Sequence, residues 1–123
     1  MLSKRLASFK YAFKGILNLF QSQPNAQIHL VVGTLAIILG LFLKLNFEEW
    51  AILSITIFAV LAAEAFNTAL EYLTDLVSPD FHTLAGKTKD VAAAGVLLTA
   101  IGAIFVAIFI FLPKIISLFS TIN

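Results

Sequence analysis

From Val91 to Leu112 the chain carries no charged residue. As a helix this run is about 33 Å long, and the hydrocarbon core of a bilayer is about 30 Å thick. So long an uncharged stretch constrains the chain to a membrane. Composition agrees: 60% of the 123 residues are hydrophobic and 12% are charged, where a soluble domain would carry about 25% charged residues. The expected class is an all-α integral membrane protein, with room for one small domain of a few helices (residues 1–123). Cysteine is absent, which excludes disulfides, thiolate zinc sites and thiol catalysis.

Residues 3–22 are amphipathic. Leu6, Phe9, Phe13, Leu17 and Phe20 recur at helical spacing, and Lys4, Lys10 and Lys14 form a basic face. That is the pattern of a helix lying on the cytoplasmic leaflet. The apolar run does not promptly follow the basic residues, which argues against a signal peptide. Pro24 punctuates the polar QSQPN that follows. Spans are then expected at 28–44, 49–76 and 91–112, with Trp50 as an interfacial anchor. Residues 78–90 form the longest polar segment, and Pro79 and Gly86 predict irregular backbone there. Pro113 and Lys114 are expected to end the last span.

The net charge of +1 hides an asymmetry. Lys4, Arg5, Lys10, Lys14 and Lys44 precede every acid, and all 7 acids lie from Glu48 onward. Beside so much apolar sequence, a basic arm points to an anionic membrane surface and not to nucleic acid. The distribution of basic residues predicts a cytoplasmic amino terminus and a cytoplasmic 78–90 segment.

The stretch EAFNTALEYLTD (64–75) is the anomaly. Glu64, Asn67, Thr68, Glu71 and Asp75 share one helical face at the end of a span. Counted from Trp50, Glu64 lies about 21 Å along the helix and Glu71 about 31 Å. Glu64 is therefore expected inside the cytoplasmic leaflet, and Glu71 near the headgroups. A carboxylate at mid-span costs roughly 2.5–3.5 kcal/mol on insertion scales, so it usually faces a protein interior. Hydrogen-bonded packing would account for Glu64 alone. Three acids in line with Asn67 exceed that role, because they repel unless a cation or basic group lies between them. Glu64, partly withdrawn from water, is a candidate general base. Glu71 suits a hard divalent cation such as Mg²⁺, and Asn67 could orient either group.

The 78–90 segment adds Asp80, His82, Lys87, Lys89 and Asp90. Its AGKT is not a P-loop: that pattern needs glycine five positions before Gly86, where Phe81 stands, and no strand precedes it. Lys87 and Lys89 could present positive charge to a polyphosphate, or serve only as positive-inside lysines. Gly95, Thr99, Ala103 and Ala107 form a small-residue stripe, which allows close helix approach and homo-oligomerisation. His29 is unassigned at this level.

Two blocks carry a family resemblance. E-x-x-N-x-A-x-E-x-x-x-D is matched by Glu64, Asn67, Ala69, Glu71 and Asp75; H-x-x-A/S-G-K/R-x-K-D is matched by His82, Ala85, Gly86, Lys87, Lys89 and Asp90. The chain resembles the prokaryotic diacylglycerol kinases and undecaprenol kinases over nearly its whole length. The resemblance implies a homotrimer that transfers the γ-phosphoryl of ATP, with Mg²⁺, to a membrane lipid alcohol in the bacterial inner membrane. It implies Glu64 as catalytic base with Asn67 beside it, and Glu71 as metal ligand. On the nucleotide side it implies His82, Gly86, Lys87, Lys89, Asp90 and Lys4. Gln23 stands where the family usually has a second, glutamate, metal ligand. The N-x-x-I-H of Asn25, Ile28 and His29 looks more like the undecaprenol branch. The alternatives are a small oligomeric ion or proton transporter lined by the carboxylates, and an anchoring subunit held by its small-residue face.

Overall fold

A computed structural model describes residues 2–122, with the side chains of residues 5 and 7–120. It consists of four helices: α1 (Leu2–Ser22), α2 (Pro24–Phe42), α3 (Phe47–Val77) and α4 (Thr83–Ile122). The expected all-α architecture is therefore observed. α2, α3 and most of α4 are long and apolar enough to cross a membrane. Their large side chains, including Leu35, Phe58, Leu98 and Phe109, are exposed. Such apolar surface would aggregate in water and is what lipid requires.

Each helix ends for a local reason. Gln23 alone separates α1 from α2; its N–H still bonds to the Leu19 carbonyl at 3.0 Å, and its own carbonyl accepts from Gln27 at 3.2 Å. Pro24 then opens α2 at a position where its missing N–H costs nothing. α2 closes in a left-handed turn at Lys44 (φ 53). There Lys44 donates to the Leu41 carbonyl at 3.3 Å and Leu45 to that of Gly40 at 3.1 Å, a Schellman pattern. Asn46 caps α3: its side chain accepts from the Glu49 N–H at 2.9 Å, and the Glu49 carboxylate accepts from the Asn46 N–H at 2.7 Å. The same Glu49 oxygen pairs with Lys114 at 3.0 Å, which fastens α4 to the start of α3.

Two expectations need correction. Only residues 78–82 lack helix in the polar segment; Thr83 through Asp90 form the first turns of α4. His82 starts that helix, its Nδ1 accepting the Leu84 N–H at 3.1 Å while its carbonyl accepts from Gly86 at 3.1 Å. Gly86 adopts no positive φ, so a glycine read as a breaker is an ordinary helical residue. Pro113 does not end the last helix either; α4 runs through it to Ile122. The ring removes one backbone donor there, and the helix continues on the bonds around it.

α3 packs chiefly against α4, with a core of Leu45, Leu53, Ile110 and Phe111 near the α2–α3 turn. α2 lies on α3 along a seam of small residues, Ala26, Gly33 and Gly40, all buried. A Cβ on Gly33 would meet Ile57 Cγ2 at 3.2 Å, and one on Gly40 would meet Leu45 Cδ1 at 2.9 Å. Of the expected stripe on α4, Gly95 faces open space within the chain, whereas Ala107 packs against the core. α1 leans on α3 through the Tyr72 hydroxyl, which donates to Asn18 Oδ1 at 3.2 Å and sits 3.1 Å from Ser22 Oγ.

Candidate active site

The inward face of α3 changes character along its length. Leu53 and Val60 are apolar; Glu64, Asn67 and Thr68 follow on the same face and are buried as well. Glu64 is 2% exposed, although it is ionisable. Its Oε2 has no hydrogen-bond partner among the described residues, and neither do Asn67 Oδ1 or Thr68 Oγ1. Leaving a buried polar atom unpaired costs about 1–3 kcal/mol. Two of the three atoms, on Glu64 and Asn67, belong to residues that share a pocket; Thr68 lines a different space, beside Asn18 and Tyr72.

Glu64 and Asn67 line a pocket of about 230 Å³ between α2, α3 and α4. α4 contributes Ala93, Val96, Leu97 and Ala100, whose small members leave the space. α2 contributes Asn25 and His29. Asn67 also lines a wider cleft of about 710 Å³ between α3 and α4, with Lys87 and Thr88 at one end and Gly95 and Thr99 at the other. Through its Nδ2, Asn67 donates to Glu71 Oε1 at 3.0 Å. The stripe is thus ordered by contact: Glu64 in the smaller pocket, Asn67 between pocket and cleft, and Glu71 held by Asn67.

Further along α3, Asp75 forms an ion pair with Lys89. These two residues line a pocket of about 230 Å³ with Asp80, His82 and Gly86. His82, Gly86 and Lys89 therefore share one site, whereas Lys87 faces the α3–α4 cleft. Asp90 is exposed and lines neither space. The Lys4 side chain lies outside the described residues. Gln23 is half-buried and its Nε2 donates to the Tyr72 hydroxyl at 3.5 Å, next in sequence to Glu71.

No group of three or more His, Cys, Asp or Glu able to hold a metal occurs among the described residues. That donor set is too thin for an all-protein cage. It fits a Mg²⁺ ion bound through one or two carboxylates and substrate phosphates, which is that ion's usual mode.

The N-x-x-I-H pattern singles out Asn25 and His29, which are four residues apart on one face of α2, but that they share a pocket with Glu64 is visible only in the structure. Thr68 was read as part of the stripe without a separate role; its burial with an unpaired hydroxyl is new.

These features define a class: a multi-pass helical membrane protein with a buried carboxylate at the end of a polar stripe. Comparison with known proteins gives the family. Residues 10–111 match the prokaryotic diacylglycerol kinases. Over 114 residues the chain is 32% identical to an undecaprenol kinase of Bacillus subtilis, covering 93% of each chain. It is 40% identical over 114 residues to a diacylglycerol kinase of Synechocystis, covering 92% of this chain and 65% of that one. The chain belongs to the prokaryotic diacylglycerol kinase family and is a lipid kinase. Membership decides against the transporter and anchoring alternatives.

Proposed function

We propose that this kinase transfers the γ-phosphoryl group of Mg-ATP to the hydroxyl of a membrane lipid, undecaprenol in preference to diacylglycerol. The observation that carries the reading is Glu64, a buried carboxylate with an unpartnered oxygen in a pocket walled by three membrane helices. Nothing in packing requires it there. A lipid alcohol presents its hydroxyl at this depth, and Glu64 takes the hydroxyl proton as the oxygen attacks the γ-phosphorus.

Most of the work in such a transfer is positioning and electrostatics, which a small protein can supply. Asn67 orients Glu71 through its 3.0 Å bond and separates it from Glu64. Glu71 would hold the divalent ion, with the side-chain carbonyl of Gln23 as a neutral second donor. Mg²⁺ bound there would supply charge neutralisation for the phosphates. Lys87 and Lys89 do the same from the nucleotide side, where His82, Gly86, Asp90 and Lys4 also belong.

The working unit in this proposal is a homotrimer in a bacterial inner membrane, with α1 and the 78–82 turn on the cytoplasmic side. Basic residues on α1 and at Lys87 and Lys89 support that orientation. The open α3–α4 cleft, with Phe66 73% exposed beside it, supports contact with a further copy.

Undecaprenol is favoured because Asn25 and His29, the residues shared with that branch's pattern, form the wall opposite Glu64. The test is γ-phosphate transfer from radiolabelled ATP by purified protein in nanodiscs, with each acceptor at equal mole fraction. Faster labelling of undecaprenol is expected. Equal or faster labelling of diacylglycerol overturns the acceptor preference, and labelling of neither overturns the reading.

A further inference from the structure

We propose that His29 receives the proton that Glu64 takes from the lipid hydroxyl, and so forms the proton exit of the site. This rests on the lipid-kinase reading with Glu64 as its base.

Glu64 is 2% exposed, so water does not reach its carboxylate freely, and its Oε2 has no partner among the described residues. α4 lines the pocket with Ala93, Val96, Leu97 and Ala100, none of which titrates. α3 supplies Glu64 and Asn67; Glu71, two turns beyond Glu64, is engaged by the Asn67 amide. α2 supplies Asn25 and His29, and no described side chain of α1 lines the pocket. Among the described residues His29 is thus the one titratable group that shares the pocket with Glu64. Unlike Glu64 it is partly exposed, and it lies within two turns of the start of α2.

The chemistry leaves a proton on Glu64 that must depart before the next turnover. Each turnover breaks the lipid O–H bond, forms the O–Pγ bond and breaks the bond from Pγ to the bridging oxygen, whose electron pair leaves with ADP. The proton goes to the Glu64 carboxylate. Until it leaves, the next cycle has no base. A neutral imidazole accepts it, Glu64 returns to carboxylate, and the imidazolium releases the proton to solvent. His29 acts through Glu64 and is a positioning residue for proton transfer.

The experiment uses the full chain in nanodiscs and records lipid phosphorylation against pH for wild type, His29→Gln, His29→Ala with and without added imidazole, and Glu64→Gln. The expected result for His29→Gln is a kcat lowered by about tenfold or more, in the range of a proton-transfer contribution. The KM for ATP stays within about twofold, and one ionisation disappears from the kcat profile; imidazole restores activity to His29→Ala. Wild-type kcat in His29→Gln overturns the inference. So does a loss that imidazole does not reverse and that leaves the shape of the profile intact, since a packing defect would do the same. An active Glu64→Gln defeats the reading of the base itself. An inactive Glu64→Gln beside unaffected His29 variants defeats only the role of His29.

Discussion

Replacing Lys89 with methionine separates what this residue does for the fold from its proposed role at the nucleotide. Lys89 pairs with Asp75, but the two side chains are 39% and 62% exposed. A pair so solvated contributes about 1 kcal/mol or less to stability. Lys89→Met should therefore lower the unfolding midpoint in detergent by no more than about 5 °C. Loss of a charge-assisted hydrogen bond to a phosphate is worth about 1.5–3 kcal/mol. That converts to a fall of roughly 10- to 150-fold in kcat/KM for ATP. Asp75→Asn, which keeps the lysine charge, should have a smaller effect on ATP turnover than Lys89→Met. The assay is ADP release coupled to lipid phosphorylation, with thermal unfolding measured on the same preparations. A kcat/KM within twofold of wild type in a folded Lys89→Met protein refutes the nucleotide role. A collapse in unfolding temperature refutes the treatment of the pair as a surface contact.

Two other substitutions probe local structure. On Gly40 a Cβ would lie 2.9 Å from Leu45 Cδ1 and 3.0 Å from Trp50 Cη2, so Gly40→Val should destabilise by about 1–3 kcal/mol. Gly33→Ala meets only Ile57 at 3.2 Å and gains about 1 kcal/mol of helix propensity, so it should be near neutral; thermal unfolding of both in one detergent checks the contrast. His82→Ala removes the acceptor for the Leu84 N–H and should cost about 0.5–2 kcal/mol, whereas His82→Asn keeps a cap. If His82 also meets the nucleotide, both variants lose ATP affinity and only the alanine frays the start of α4, as read from amide exchange at Leu84.

The sequence carried the broad architecture because lipid imposes strong patterns. The uncharged run from Val91 to Leu112, the basic amphipathic start and the polar stripe of Glu64, Asn67 and Glu71 each have one natural reading in a bilayer. What escaped depends on neighbours. Gly86 reads as a breaker in isolation, yet capping by His82 lets the helix begin before it. Gly33 and Gly40 look like incidental glycines until α3 is seen pressed against them, while the regular spacing of Gly95 and Thr99 pointed to a contact that Gly95 does not make within one chain. Lys44 gives no warning of its positive φ, because glycine would be the ordinary choice at that position. His29 became informative only when Glu64 was found across the same pocket.

In the proposed mechanism Glu64 is the base for phosphoryl transfer to a lipid alcohol. Glu64→Gln preserves size and burial while removing the proton-accepting charge, and the measurement is single-turnover labelling of lipid from γ-labelled ATP in nanodiscs. The expected rate is lowered at least about 100-fold, with the variant folded and still binding ATP. Transfer within a few-fold of wild type would contradict it.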